Sequence, residues 1–109
     1  MAYSESLAAR VRLLVGKRRG VSEKKLFGGV GFLLHGNLLV CVWKDSLIVR
    51  LGKEDSAKAL QEEFVGPFDI TGKSMSGWVM VEPDGMETDQ QLSDWIERAM
   101  AFVATLPKK

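Results

Sequence analysis

The spacing of apolar residues changes several times along the chain. Apolar positions recur every three or four residues, as in an amphipathic helix, over residues 4–15, 54–64 and 88–106. Residues 25–51 and 68–81 instead contain short apolar runs separated by turn-forming residues, which is typical of antiparallel strands. The pattern therefore predicts an α+β domain with the element order α-β-β-β-α-β-β-α.

The first and last helices have clear boundaries. Ser4 is a good N-cap for the first helix, which should stop at the basic, Gly-containing residues 16–20. Thr88 and Gln91 have the spacing of a capping box, and Pro107 ends the last helix. The predicted apolar face of the first helix consists of Leu7, Val11, Leu14 and Val15, and that of the last consists of Leu92, Trp95, Ile96, Ala99, Phe102, Val103 and Leu106.

The middle helix is predicted over residues 54–64, with Ala57, Leu60 and Phe64 on its apolar face. Short strands over residues 68–70 and 78–81 follow, and residues 82–85 read as a turn.

Two tight turns decide which strand residues share a face, because side chains alternate along a strand. We take Gly36 with Asn37 and Lys44 with Asp45 as two-residue loops; a three-residue loop at the second would flip the third strand. The face under the helices then carries Leu33, Leu38, Val40, Val42, Leu47, Val49 and Leu51. The opposite face carries Val30, Phe32, Leu34, Leu39, Cys41, Trp43, Ser46, Ile48 and Arg50.

This opposite face is mostly apolar, although a two-layer domain would leave it in water. We expect a second copy of the chain to cover it in a two-fold homodimer. The predicted interface consists of Phe32, Leu34, Leu39, Trp43 and Ile48, with Arg50 at its edge. The alternative is that the C-terminal helix or residues 64–75 fold over this face.

Composition is that of one soluble domain, which we expect to span residues 1–109. Of the 109 residues, 46% are hydrophobic, and 15 Lys and Arg against 14 Asp and Glu give a net charge of +1. Cys41 and His35 are the sole Cys and His, which excludes an internal disulfide and a Cys/His zinc site. The longest apolar run, residues 38–43, is too short for a membrane helix, and the start does not resemble a signal peptide. We expect a cytoplasmic protein without a membrane segment.

Three features superficially resemble chemical motifs. Gly72, Lys73 and Ser74 resemble the end of a phosphate-binding loop, but the spacing from Gly66 is one residue too long and a strand follows. The glycine cluster at residues 28–31 lacks the third glycine of a dinucleotide fingerprint, and we interpret it as close strand packing. His35 has no acid or nucleophile at a useful spacing and is interpreted as a turn residue. We expect no enzyme activity, catalytic residue, metal or cofactor.

Charge is unevenly distributed along the chain. Residues 1–25 hold seven Lys and Arg against two Glu, a balance of +5, and residues 82–97 hold six acidic residues and no basic one, a balance of −6. The basic segment could contact a phosphate backbone, or its charges could face the negative end of the first helix dipole. The second interpretation is favoured because no recognition helix or stacking platform accompanies the segment.

Several motifs together resemble one family. They are the runs Glu23-Lys24-Lys25-Leu26-Phe27-Gly28-Gly29-Val30-Gly31-Phe32, Gly36-Asn37-Leu38, Asp45-Ser46-Leu47-Ile48-Val49-Arg50-Leu51-Gly52, Thr71-Gly72-Lys73-Ser74-Met75, Gly77-Trp78-Val79 and Trp95-Ile96-Glu97-Arg98-Ala99. With these runs the chain resembles the TfoX N-terminal domain family over nearly its whole length, although Leu26 and Leu38 stand where the family often has Met.

The resemblance implies a two-layer α+β fold similar to the type III secretion chaperones. The family takes its name from bacterial competence regulators that carry a second, C-terminal domain. The chain ends at Lys109 without one, so we do not expect their regulatory role to transfer directly.

The resulting hypothesis is a bacterial homodimeric protein-interaction or regulatory module. Two alternatives belong to other classes. One is a nucleic-acid-associated regulator that uses the basic segment. The other is an enzyme or small-ligand protein in which Arg50, near Trp43, anchors an anion.

The small net charge yields a first prediction. Because the total is only +1 and residues 82–97 would repel a polyanion, we expect no DNA complex tighter than about 10 μM at physiological salt. A gel-shift titration checks this, and a sequence-specific complex at nanomolar concentration would contradict it.

Overall fold

The computed structural model describes residues 3–16, 18–26, 28–69 and 74–108. Within them the chain forms three α-helices, six strands and one short 3₁₀ helix, Pro83–Met86. The helices are α1 (Glu5–Val15), α2 (Lys53–Ala59) and α3 (Asp89–Val103). The strands are β1 (Val21–Leu26), β2 (Gly29–Leu34), β3 (Asn37–Trp43), β4 (Ser46–Arg50), β5 (Val65–Asp69) and β6 (Ser74–Val81). Among the helices in these ranges, none is long and apolar enough to cross a membrane.

The strands form a single antiparallel sheet in the order β1-β2-β3-β4-β6-β5. The helices pack on one face of this sheet, where their apolar side chains meet those of the strands in one core. The predicted α+β class is therefore confirmed. The structure adds β1, which the apolar pattern missed because four of its six residues are polar or charged.

The predicted helix caps are confirmed. The Oγ of Ser4 accepts a hydrogen bond from the backbone N–H of Leu7 at 3.2 Å. At the start of α3, the N–H of Gln91 donates to Thr88 Oγ1 at 3.1 Å, and the N–H of Thr88 donates to Gln91 Oε1 at 3.0 Å. These bonds satisfy backbone donors that a helix start otherwise leaves without partners.

The middle helix is shorter than predicted. It ends at Ala59, and the next residues turn toward β5. Leu60 and Phe64, predicted to face the core, are 41% and 40% exposed. Phe64 adopts a left-handed backbone conformation with φ of 65°, which a helix cannot contain. The prediction for residues 60–64 was therefore wrong.

The β3–β4 hairpin has the predicted register. Lys44 and Asp45 form its two-residue loop, because Trp43 pairs with Ser46. The φ of Lys44 is 54°, the left-handed value that a two-residue hairpin loop requires at its first position.

The β2–β3 hairpin differs from the prediction by one residue. Its loop consists of His35 and Gly36, with φ of 50° and 86°. A register shift between Phe32 and Leu33 adds a further irregularity to this strand pair. Asn37 is therefore the first residue of β3, where it is buried and donates its Nδ2–H to the Pro107 carbonyl at 2.8 Å.

This register corrects the predicted faces. Phe32 and Leu39 are fully buried in the core under the helices, and Leu34 packs against the same core. Val30, also assigned to the opposite face, belongs to this core as well. Leu33 and Leu38, predicted to lie in the core, pair with each other and are half-buried outside it. Half of the expected interface residues are thus core residues, because the register shift between Phe32 and Leu33 moves the pairing of β2 with β3 by one residue and side chains alternate.

Basic residues near the start of the chain pair with acidic residues near its end within the helix layer. Arg10 on α1 bonds the carboxylate of Asp89 at 3.3 Å and the carbonyl of Met86 at 2.9 Å. Arg18, just after α1, pairs with Glu97 on α3. Ion pairs between the basic and acidic segments therefore connect α1 and the residues just after it with α3, in addition to any interaction with helix dipoles.

The core assignment of Val40 gives a second prediction. Val40 is fully buried between β2 and β4 under the helices, and Ser46 lies beside the β3–β4 turn. Val40→Ala should lower the free energy of unfolding by about 1 to 3 kcal/mol, through lost burial and a cavity. Ser46→Ala should change it by less than about 0.5 kcal/mol. Equal effects of the two variants in denaturant titrations would contradict this assignment.

Candidate interaction surface

The sheet surface opposite the helices, termed the outer face, carries a second apolar cluster. Cys41, Ile48 and Phe68 are its buried members. Cys41 on β3 pairs with Ile48 on β4, and Ile48 pairs with Met80 on β6, so one row of side chains crosses three strands. Trp43, Trp78 and Met80 surround the buried members and are themselves half-buried.

Aromatic rings provide the cover for this cluster. The rings of Phe68 and Trp78 lie 6.2 Å apart between centroids, at an interplanar angle of 52°. Such tilted packing is a favourable arrangement for aromatic side chains. Phe68 is buried within the cluster, whereas Trp78 stays partly accessible, so the outer face has a buried apolar centre bordered by half-exposed apolar side chains.

Two cations lie over these aromatic rings. Lys44 Nζ is 4.7 Å from the Trp43 ring centroid, and Arg50 Cζ is 5.1 Å from that of Trp78. Arg50 also lies 5.9 Å from the ring of Phe102 on α3, which places it at the end of the sheet. Both contacts are cation–π interactions, which also hold the long side chains against the rings.

The structure separates the residues predicted to form the interface. Trp43, Ile48 and Arg50 lie on the outer face, whereas Phe32, Leu34 and Leu39 pack under the helices. The last three residues are excluded from the predicted interface because the observed β2–β3 register places them on the core side.

Three residues of the outer face were missed. Phe68, Trp78 and Met80 come from β5 and β6, which join the sheet beyond β4. The alternation of Trp78 and Met80 with the core residues Val79 and Val81 was a local signal for two of them.

The two segments of the chain that could have covered the outer face, the C-terminal helix and residues 64–75, differ in where they lie. The C-terminal helix α3 packs in the helix layer, so it does not cover the outer face. Part of residues 64–75 forms the edge strand β5, and its Phe68 covers Cys41 and Ile48 from within the sheet. Residues 70–73 of that segment lie outside the described residues.

A groove lies between α3 and the chain that leads into β5. It has a volume of about 740 Å³. The residues that line this groove, termed the α3 groove, are Glu62, Glu63, Phe64, Gly85, Gln91, Asp94, Trp95, Glu97 and Arg98. Arg98 lies across it, with its guanidinium carbon 4.3 Å from the Trp95 ring centroid. The same guanidinium donates two hydrogen bonds to the Glu62 carboxylate, at 3.0 and 3.3 Å.

Phe64 is the exposed aromatic residue of the α3 groove. Its carbonyl accepts a hydrogen bond from the N–H of Glu82 at 2.8 Å, which fixes its backbone against the end of β6. Gly85 lies under it, since a Cβ at Gly85 would come within 3.2 Å of the Phe64 Cβ. A left-handed conformation costs a non-glycine residue roughly 1–2 kcal/mol. The surrounding structure therefore holds an exposed ring in an unfavourable conformation.

Comparison with known proteins decides the family. The model of the TfoX N-terminal domain matches residues 14–103, which is most of the chain. This chain belongs to the TfoX N-terminal domain family. No curated protein and no solved structure matches it.

The glycines of this TfoX N-terminal domain have structural roles. Gly28 has a φ of 77° between β1 and β2. A Cβ at Gly29 would lie 2.1 Å from the carbonyl oxygen of Val42 on β3, so this position admits only glycine. These contacts confirm the interpretation as close strand packing. Gly72 and Lys73 of the phosphate-loop-like motif lie outside the described residues.

The titratable side chains in the described part of the domain were compared with the arrangements that a catalytic or metal site needs. His35 is a residue of the β2–β3 loop, as predicted, and its ring lies against Gly20. Within the described residues there is no group of three or more His, Cys, Asp or Glu side chains that could hold a metal ion. Hydrogen bonds from the Arg12 guanidinium, at 2.8 and 3.0 Å, lower the pKa of the Glu23 carboxyl and join α1 to β1.

The buried thiol of the outer face yields a third prediction. Burial raises the pKa of Cys41 to about 11, so the reactive thiolate is scarce at neutral pH. Iodoacetamide should therefore modify the native protein at pH 8 at least about a hundredfold more slowly than the unfolded protein in guanidinium. Mass spectrometry after timed quenching measures both rates. Equal rates would show that Cys41 is accessible.

Proposed function

We propose that this domain is a protein-interaction module of a regulatory kind that forms a homodimer through its outer face. Its place would be the bacterial cytoplasm, where Cys41 stays reduced. The half-buried apolar surface of Trp43, Trp78 and Met80 is the observation that carries the proposal. Aromatic residues and Arg are the side chains that most often anchor protein interfaces.

The size of the outer face is compatible with such a dimer. Six strands spaced about 4.8 Å apart and about 20 Å long give a flat area near 500 Å². Side-chain relief and the surrounding rim enlarge the accessible area, so it is of the same order as the roughly 800 Å² that each partner buries in a specific interface. Two-fold symmetry lets one self-complementary face serve both partners.

The edges of the sheet favour pairing through the face over pairing through strands. The edge strand β1 carries the exposed charges of Lys24 and Lys25, and the edge strand β5 contains Pro67. Charged residues and proline are the usual protection against edge-to-edge association. Arg50 lies at the end of the face, where it could reach a carboxylate or carbonyl of the second copy.

The ion pairs of the helix layer weigh against a nucleic-acid function. Arg10, Arg12 and Arg18 of the basic segment are engaged by Asp89, Glu23 and Glu97. Phosphate binding would have to compete with these pairs or use the remaining basic residues of the segment.

The mass in solution tests the dimer directly. Light scattering should give about 24 kDa, twice the 12.1 kDa chain, and Trp43→Glu should reduce this to the single-chain mass. A buried carboxylate without a partner is costly, so one such substitution within the interface should dissociate the dimer. Circular dichroism should show that the fold is retained.

Leu13→Glu provides the matched control. Leu13 lies on α1 and is 83% exposed, so the same type of substitution there should leave the mass unchanged. The proposal would be contradicted by a wild-type monomer at about 100 μM, well above the Kd of an ordinary stable interface. If Leu13→Glu dissociated the dimer and Trp43→Glu did not, the interface would lie on the helix layer and not on the outer face.

A further inference from the structure

We propose that the α3 groove is a docking site for a basic peptide segment of a partner protein. The groove is built by α3, the chain before β5 and the 3₁₀ helix, and it does not include the outer-face cluster. Binding there would therefore be independent of the homodimer. The proposal depends on the charge, the aromatic lining and the size of the groove.

Charge defines the kind of partner. Four carboxylates line the groove, at Glu62, Glu63, Asp94 and Glu97, against the single cation of Arg98. Glu62 is neutralised by Arg98, and Glu97 by Arg18. Within the described residues, Glu63 and Asp94 have no cationic partner, and both are exposed. The Asp94 carboxylate accepts a hydrogen bond from Gln90 Nε2–H at 2.8 Å, which does not neutralise its charge, so both carboxylates can attract an incoming cation.

The aromatic lining suggests how such a cation would be held. Arg98 shows one arrangement within the groove, because its guanidinium stacks on Trp95 while it binds Glu62. Phe64 offers a second ring, 40% exposed. A guanidinium from a partner could pack on this ring and pair with Glu63 or Asp94, which would repeat the arrangement of Arg98.

The size of the α3 groove and the negative charge of its lining favour a basic peptide over other ligands. The volume of about 740 Å³ is far larger than one ion needs and is that of an ordinary ligand-binding cleft, which leaves room for more than one side chain. The acidic lining would repel nucleic acids and anionic membrane surfaces, since both present phosphates. A basic peptide supplies several cations on one chain and apolar methylene groups to contact Phe64.

Isothermal titration calorimetry with synthetic hexa-arginine, on the full chain at low ionic strength, tests the proposal. We expect saturable binding that salt weakens, and no binding of hexa-glutamate. The double variant Glu63→Gln with Asp94→Asn should raise the Kd about fivefold. Phe64→Asn should raise it about threefold while keeping the fold, because Asn tolerates the left-handed conformation.

The control pair is Glu54→Gln with Asp55→Asn at the start of α2, which changes the net charge equally outside the groove. This pair should alter the Kd less than twofold. An equal rise in the Kd for the control pair and the groove pair would overturn the proposal, because hexa-arginine binding would then depend on the net charge of the protein alone. The absence of hexa-arginine binding, or an unchanged Kd for Phe64→Asn in a folded protein, would also overturn it. Thermal unfolding confirms that each variant is folded.

Discussion

The register shift between Phe32 and Leu33 is the constraint on which the two faces of the sheet depend. The turn residues His35 and Gly36 hold left-handed backbone conformations, which fixes where β2 ends and β3 begins. Beyond the register shift, the pairing of β2 with β3 moves by one residue, and a shift of one residue exchanges the faces because side chains alternate. The shift therefore places Phe32 and Leu39 under the helices and leaves Cys41 to the outer face.

Local signals predicted the elements whose causes are local. The caps at Ser4 and Thr88 each depend on residues three positions apart, and the loop after Trp43 is followed directly by its paired strand. The β2–β3 loop was ambiguous, because Gly36 can occupy either position of a two-residue turn. A contact with Pro107, 70 residues further along the chain, also holds Asn37 inside β3. Sequence spacing cannot reveal such a bond.

The candidate surfaces were the hardest parts to predict. The outer face gains Trp78 and Met80 because β6 pairs with β4, a non-local choice that the alternating pattern allows without specifying. At the α3 groove, Leu60 and Phe64 continue the helical spacing of α2 after the helix has ended. A pattern that favours one structure while the chain adopts another is often found where a protein keeps residues for binding.

Charge distribution along the sequence differs from charge distribution on the folded surface. The basic and acidic segments looked like separate patches, but Arg10 and Arg18 cross to α3 and neutralise carboxylates there. These contacts involve partly exposed side chains, so each contributes little stability alone. Within the described residues, Glu63 and Asp94 have no cationic partner and lie near the exposed ring of Phe64, whereas the half-buried tryptophans lie on the outer face. Two chemically different surfaces on opposite layers would allow the proposed homodimer and the proposed basic partner to form contacts at the same time.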